Sequence, residues 1–145
     1  MTEAQTQSAP KHLWIVGIVA LLWNLMGAYD YVMTETKNEA YMGKFTPEQL
    51  EFFYGFPAWV VVFWAIAVWG AVAGSVLLLM RRKFAAPVFI ASFLSMVVTT
   101  IHNYGFAGAA DITGAGGTIF SVIIFVIALA LVFYARSMAS KGVLN

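Results

Sequence analysis

Residues 57–83 read PAWVVVFWAIAVWGAVAGSVLLLMRRK. No charged side chain occurs in residues 57–80, and three cations then follow without a break. A hydrocarbon core about 30 Å thick is crossed by roughly 20 apolar residues in helical form, so this run is long enough. Lipid offers the backbone no hydrogen-bond partners, and a helix satisfies its own N–H and C=O groups. The stretch therefore predicts a membrane-spanning helix that stops where Arg81, Arg82 and Lys83 reach the aqueous boundary.

Three further runs, residues 13–32, 84–104 and 118–135, have the same character. The whole chain of 145 residues agrees with them: 61% is hydrophobic, 10% is charged and the mean hydropathy is +0.82. A soluble domain carries about 25% charged residues, so most of this surface is expected to face lipid. The fold expected is an all-α, integral-membrane four-helix bundle over residues 13–135. A disordered polar tail over 1–12 and a second tail over 136–145 flank it. The first apolar run is too long for a signal-peptide core and no small-residue cleavage site follows it, so it is expected to remain as a span.

The basic residues set the expected direction. Lys11, Arg81, Arg82, Lys83, Arg136 and Lys141, six of the eight, fall on one side of the four spans. The other side has Lys37 and Lys44 among Asp30, Glu35, Glu39, Glu48, Glu51 and Asp111. Lys and Arg concentrate in cytoplasmic connections, so both termini and the Arg-Arg-Lys turn are expected in the cytoplasm and the two longer connections outside.

In the first outer connection, Thr46-Pro47-Glu48-Gln49 has the marks of a helix start: a Thr cap, Pro at the first helical position, and Gln three residues after the cap. A short helix over about 46–54 follows, carrying Leu50, Phe52, Phe53 and Tyr54, and it is expected to lie in the membrane interface. The second outer connection, 105–117, contains five glycines but no Lys-Ser or Lys-Thr after them. The phosphate-loop pattern therefore fails, and a flexible loop is expected.

Helices in lipid associate through small residues. The first span offers Gly17, Ala20, Asn24 and Gly27, and the second offers Gly70 and Gly74 in a GxxxG pattern with Ala67, Ala71 and Ser75 alongside. These two stripes are expected to pack against each other within one chain, with a homo-oligomer as the alternative. Asn24, midway along its span, is expected to make an interhelical hydrogen bond. Trp59, Trp64 and Trp69 wind around the second span and suit lipid contact.

Polar residues inside a span each call for an account. Ser92, Ser95, Thr99 and His102 share one face of the third span, and Asp30 should reach the same depth on the first. Asp30, Tyr31, Thr99, His102, Asn103 and Tyr104 define a candidate polar pocket open to the outer side. Asp30 and His102 would be a proton-responsive pair at its base, or, as the plainer reading, a hydrogen bond tying the first span to the third. No catalytic residue is assigned, since Ser, His and Asp do not group in a nucleophile pattern. No metal site or cofactor is expected: the chain lacks cysteine and its two histidines lie on opposite sides. No basic stripe suggests nucleic acid.

Residues 22–31 (LWNLMGAYDY), 38–42 (NEAYM), 53–59 (FYGFPAW) and 99–104 (TTIHNY) carry a resemblance. The chain resembles a group of small four-span inner-membrane proteins of alphaproteobacteria often labelled "sugar transporter", over about residues 14–144. The resemblance implies a bacterial inner membrane and a transport role, and it assigns no site residues. Taken together, the expectations are a transporter or transport accessory for a sugar or other small solute, then a non-catalytic scaffold or accessory subunit of a membrane complex, then an outward-facing pH or ligand sensor. The partners expected are the lipid bilayer and either further copies of the chain or a larger membrane complex.

Overall fold

The computed structural model describes residues 8–145, so most of the polar tail expected over 1–12 lies outside the described residues. Lys11 and His12, at the end of that tail, already belong to a helix. The elements are α1 (Lys11–Glu35), α2 (Glu39–Met42), α3 (Pro47–Tyr54), α4 (Ala58–Leu79), α5 (Ala85–Thr100) and α6 (Ala109–Ser140). A six-residue π-helical segment, Ile101–Phe106, continues α5. The four long helices run 25, 22, 22 and 32 residues, counting α5 with its π segment, and all are apolar enough to cross a membrane. At 1.5 Å per residue the shortest is about 33 Å long, which matches the hydrocarbon core. The chain is an all-α, multi-pass membrane protein built as a four-helix bundle. Ile18, Leu22 and Met26 on α1 and Ile119, Val122 and Val126 on α6 face outward, as lipid contact requires.

The helix ends follow from local chemistry. Thr46 Oγ1 accepts from the Gln49 N–H at 3.2 Å and Gln49 Oε1 accepts from the Thr46 N–H at 3.1 Å, so the expected capping box at α3 forms. The C-termini of α1, α4 and α6 share one solution. A residue in the left-handed region turns the chain, and its own N–H and that of the next residue bond back to carbonyls of the last turn. Those residues are Lys37 (φ 53°), Arg81 (φ 57°) and Gly142 (φ 77°). For Arg81 the bonds are its own N–H to Leu78 O at 3.0 Å and Arg82 N–H to Leu77 O at 2.9 Å. A non-glycine residue held there costs roughly 1–2 kcal/mol. Local contacts offset this cost at Arg81, whose Nε donates to Val143 O at 3.1 Å and whose carbonyl accepts from the Asn145 N–H at 2.8 Å.

Two segments differ from the sequence reading. The glycine-rich connection is largely helical: α6 begins at Ala109, with Gly108 (φ 71°) as its cap and a break at Gly114 (φ 75°, ψ −176°). The left-handed angles at Gly108 favour glycine and those at Gly114 suit glycine alone, so the glycines here interrupt a helix and do not make a loose loop. The segment 136–145 is not a free tail. The helix continues to Ser140, Gly142 reverses the chain, and Val143 and Leu144 are buried in the core.

α4 is the central helix, packed against α1 on one side and α5 on the other, while α6 packs on α5. The two small-residue stripes are both used inside the chain and meet in part, where Asn24 reaches Ala71 and Ser75, while the two glycines of the GxxxG pattern face elsewhere. Gly70 lies against Ser92 and Gly74 against the Phe89 ring, so the GxxxG pattern receives α5. Gly17 and Gly27 on α1 instead face the side chains of Leu79 and Val68. Asn24 Nδ2 donates to Ser75 Oγ at 2.9 Å and to Ala71 O at 3.3 Å, the interhelical bond its position predicts. Such bonds contribute about 0.6 kcal/mol on average in membranes. Leu13, Ala20, Leu78, Ala85, Phe89, Leu131, Ala135 and Met138 form the core with Val143 and Leu144, weighted toward the end that carries the Arg-Arg-Lys turn.

The packing at Gly74 sets a test. A Cβ there would come within 2.7 Å of the Phe89 ring, whereas one at Gly27 would sit 4.0 Å from Val68 Cγ1. Gly74→Ala should destabilise the bundle by about 1–3 kcal/mol, as overpacking typically does. Gly27→Ala should be neutral or mildly stabilising in thermal unfolding of the detergent-solubilised protein.

Candidate functional site

The polar residues singled out in sequence gather at the end of the bundle opposite the Arg-Arg-Lys turn, but in separate neighbourhoods. Asp30, near the end of α1, accepts a short hydrogen bond from Tyr41 Oη. The chain after α1 brings Tyr41 there: Lys37 reverses it, and Asn38 Oδ1 caps α2 by accepting from the Tyr41 N–H at 3.0 Å. The Tyr41 ring meets Tyr29 edge-on at 5.5 Å, and Lys44 Nζ lies 3.9 Å from its centroid on the face. A cation, a polarised phenol and a carboxylate are thus linked in series. Burial chiefly, then the hydrogen bond to Asp30, the Asp30 charge and Tyr29, hold the Tyr41 phenol well above its ordinary pKa.

His102 sits in the π segment. Its Nδ1 donates to Asn103 Oδ1 at 3.0 Å, the amide oxygen being only an acceptor. Its ring meets Trp59 at 5.3 Å and Phe56 at 6.5 Å, both near-perpendicular. Tyr31 packs edge-on against Trp64 at 4.7 Å. Thr99 is buried and donates to Met96 O of its own helix at 2.9 Å. Tyr104 Oη shares a hydrogen bond with Ser121 Oγ at 2.9 Å.

Asp30 and His102 therefore do not form a pair, and the six expected pocket residues do not line one pocket. The reason is the position of α4. It packs between α1 and α5, and aromatic residues in and just before its first turns take up the space: Trp64 covers Tyr31, and Trp59 with the preceding Phe56 covers His102. The stripe Ser92, Ser95 and Thr99 is likewise buried, with Ser92 Oγ donating to Ala67 O across the α4–α5 contact.

What the sequence reading missed is the ring network that closes this end. Tyr41, Phe45, Phe53, Phe52 and Phe56 touch in succession at centroid distances of 5.0–6.4 Å. Phe56 then reaches both Trp64, at 5.8 Å, and His102. The signal was present as an aromatic-rich α3 and the Gly-Phe-Pro that follows it, but ring partners are set by tertiary packing. Trp59 and Trp69 keep the exposure expected of lipid contacts, while Trp64 is drawn into the network.

Two cavities of about 230 Å³ open on the same half. One is lined by Glu48, Glu51, Phe52 and Ile112, where Gln49 Nε2 donates to Ile112 O at 3.4 Å. The other lies between the π segment and α6, lined by Thr100, Tyr104, Thr118, Ser121, Val122 and Phe125. Tyr104 is the one expected pocket residue that lines either. Among the described residues no three His, Asp or Glu side chains group as a metal would require.

Comparison with family models, curated proteins and solved structures finds no match to this chain. Fold and site together define it as a multi-pass, all-α membrane bundle with one end closed by aromatic rings.

Tyr41→Phe should lower stability by about 1.5–3 kcal/mol, the usual contribution of a hydrogen bond to a charged group. The phenol pKa is raised, so its contribution is complete below pH 10 and is lost as pH climbs through the folded-state value. Ultraviolet titration of tyrosinate should find a late-ionising component, and that component should shrink by one phenol in Tyr41→Phe.

Proposed function

We propose that the protein is a non-catalytic membrane scaffold or accessory subunit whose aromatic end engages a larger membrane complex. The observation that carries this reading is the internal use of the polar groups. Ser92 bonds Ala67 O, Thr99 bonds Met96 O, and Asp30 accepts from Tyr41, so three of the polar groups on which a solute path could draw are engaged within the chain. Four side-by-side helices leave broad lateral faces, and the rigid aromatic cap supplies large contact area at low entropic cost, as association surfaces do. The location we propose is a bacterial inner membrane, on the resemblance, with both termini cytoplasmic, on the excess of Lys and Arg at that end.

A transporter or transport accessory for a sugar or other small solute is the second reading. The open, mostly apolar groove beside Tyr104 and Ser121 is the feature that favours it, because it lies where α6 meets a π-helical segment. π-Helical turns often sit at functional positions. One bundle of this size encloses little space, so transport would call for a homo-oligomer.

Crosslinking in native membranes followed by mass spectrometry should recover one reproducible heterologous membrane partner, with crosslinks mapping to residues 39–59. Self-crosslinks alone would count against the scaffold. Proteoliposomes should show no sugar uptake above protein-free vesicles. Uptake that Tyr104→Phe abolishes would put the transport reading first.

A further inference from the structure

The opposite end of the bundle carries five exposed cations: Lys11 opening α1, Arg82 and Lys83 in the α4–α5 turn, and Arg136 and Lys141 closing α6. Tertiary contacts gather them. Lys83 N–H donates to Asn145 O at 3.0 Å and Asn145 N–H to Arg81 O at 2.8 Å, which seats the segment after Lys141 on the turn that holds Arg82 and Lys83. His12, beside Lys11, bonds Tyr134 Oη at 2.6 Å, two residues before Arg136. Arg81 serves this seat through Val143 O and is left out of the patch.

Every Asp and Glu side chain among the described residues lies toward the other end: Asp30, Glu35, Glu39, Glu48, Glu51 and Asp111. Like charges crowded on one surface repel, and an external anion relieves that repulsion. The anion must also suit the surroundings. Trp14, Met80 and Phe84 are exposed beside the cations and lead directly into the membrane-spanning helices. These side chains set the cations at headgroup depth, where phospholipid phosphate is the anion at hand. An amphiphile with a phosphate at headgroup depth and acyl chains below it meets both.

We propose that this basic end is a docking surface for anionic phospholipid headgroups, with Arg82, Lys83, Arg136 and Lys141 meeting the phosphate and Phe84, Met80 and Trp14 meeting the upper acyl chain. Each Lys or Arg near an anionic membrane surface changes association by about fivefold, less at high salt. The surface acts on whichever leaflet this end faces and is independent of what the aromatic end binds.

The full chain is reconstituted in phosphatidylcholine bilayers containing trace spin-labelled phosphatidylglycerol or spin-labelled phosphatidylcholine with the same acyl chains. The immobilised fraction is read by electron paramagnetic resonance. At low ionic strength phosphatidylglycerol should associate at least about fivefold more strongly than phosphatidylcholine, and the preference should shrink as salt is added. The combined variant Arg82→Gln/Lys83→Gln/Arg136→Gln/Lys141→Gln should lose the preference, and the two pairs made separately should each lose part of it. Glu48→Gln/Glu51→Gln, at the other end, should retain it in full. Helix content by circular dichroism accompanies every variant, so that the comparison uses folded protein. Equal association of the two lipids in the wild type overturns the proposal, as does a preference that survives the fourfold variant. Displacement by soluble glycerol phosphate or by an oligoglutamate peptide, at ionic strength matched with chloride, also overturns it and assigns the patch to a soluble phosphate or to an acidic protein segment.

Discussion

The close approach of α4 to α5 at Gly70 and Gly74 governs the arrangement of the other helices. With no side chain at either position, Ser92 and the Phe89 ring come against the α4 backbone, and the Ser92 hydroxyl reaches Ala67 O. In lipid there is little hydrophobic gain from bringing two helices together, so close packing and interhelical hydrogen bonds decide which faces meet. Once α5 takes the glycine face, α1 is left with the remaining side of α4. It uses its own small residues to receive Leu79 and Val68, and Asn24 reaches across to Ser75. The central place of α4 follows from glycines that each accept a larger partner, with Asn24 of the first stripe joined to Ala71 and Ser75 of the second.

That placement has consequences at both ends. At the acidic end the first residues of α4 come between Asp30 and His102, so the carboxylate turns to a phenol from its own connection and the imidazole to a neighbouring amide. The short helices α2 and α3 then serve as carriers for rings that join into one network across the bundle. At the basic end the α4–α5 turn, drawn tight by the left-handed Arg81, offers its backbone to the chain after α6. Val143 and Leu144 complete a core that would otherwise open to the headgroup region. One end is closed by aromatic contact and the other by backbone pairing.

Several local features could be read from the sequence because their causes are local. The four spans follow from run length and the absence of charge. The capping box at Thr46 and Gln49 depends on residues three apart, and the hydrogen bond of Asn24 follows from the cost of leaving an amide alone in a span. Other features went unseen for equally local reasons. The glycines at 108 and 114 suggested a loop by composition, yet left-handed glycines cap and break helices as readily as they populate loops. Lys37 and Arg81 at positive φ are invisible in sequence, since neither residue type announces that conformation.

The sequence by itself determined that the chain is helical, that four segments are built for lipid, and that charge is divided between the two ends, because each of these depends on composition along the chain and not on which segments meet. The tertiary structure decided which helix stands in the middle, and with it which polar groups meet. Helical periodicity places Ser92, Ser95, Thr99 and His102 on one face, but it cannot say which neighbour that face receives. α4 receives it, with Trp59 and Phe56 against His102, and Asp30 lies beyond. Helix order around a bundle is set by side-chain fit between segments far apart in the chain, which a reading along one strand of sequence does not contain.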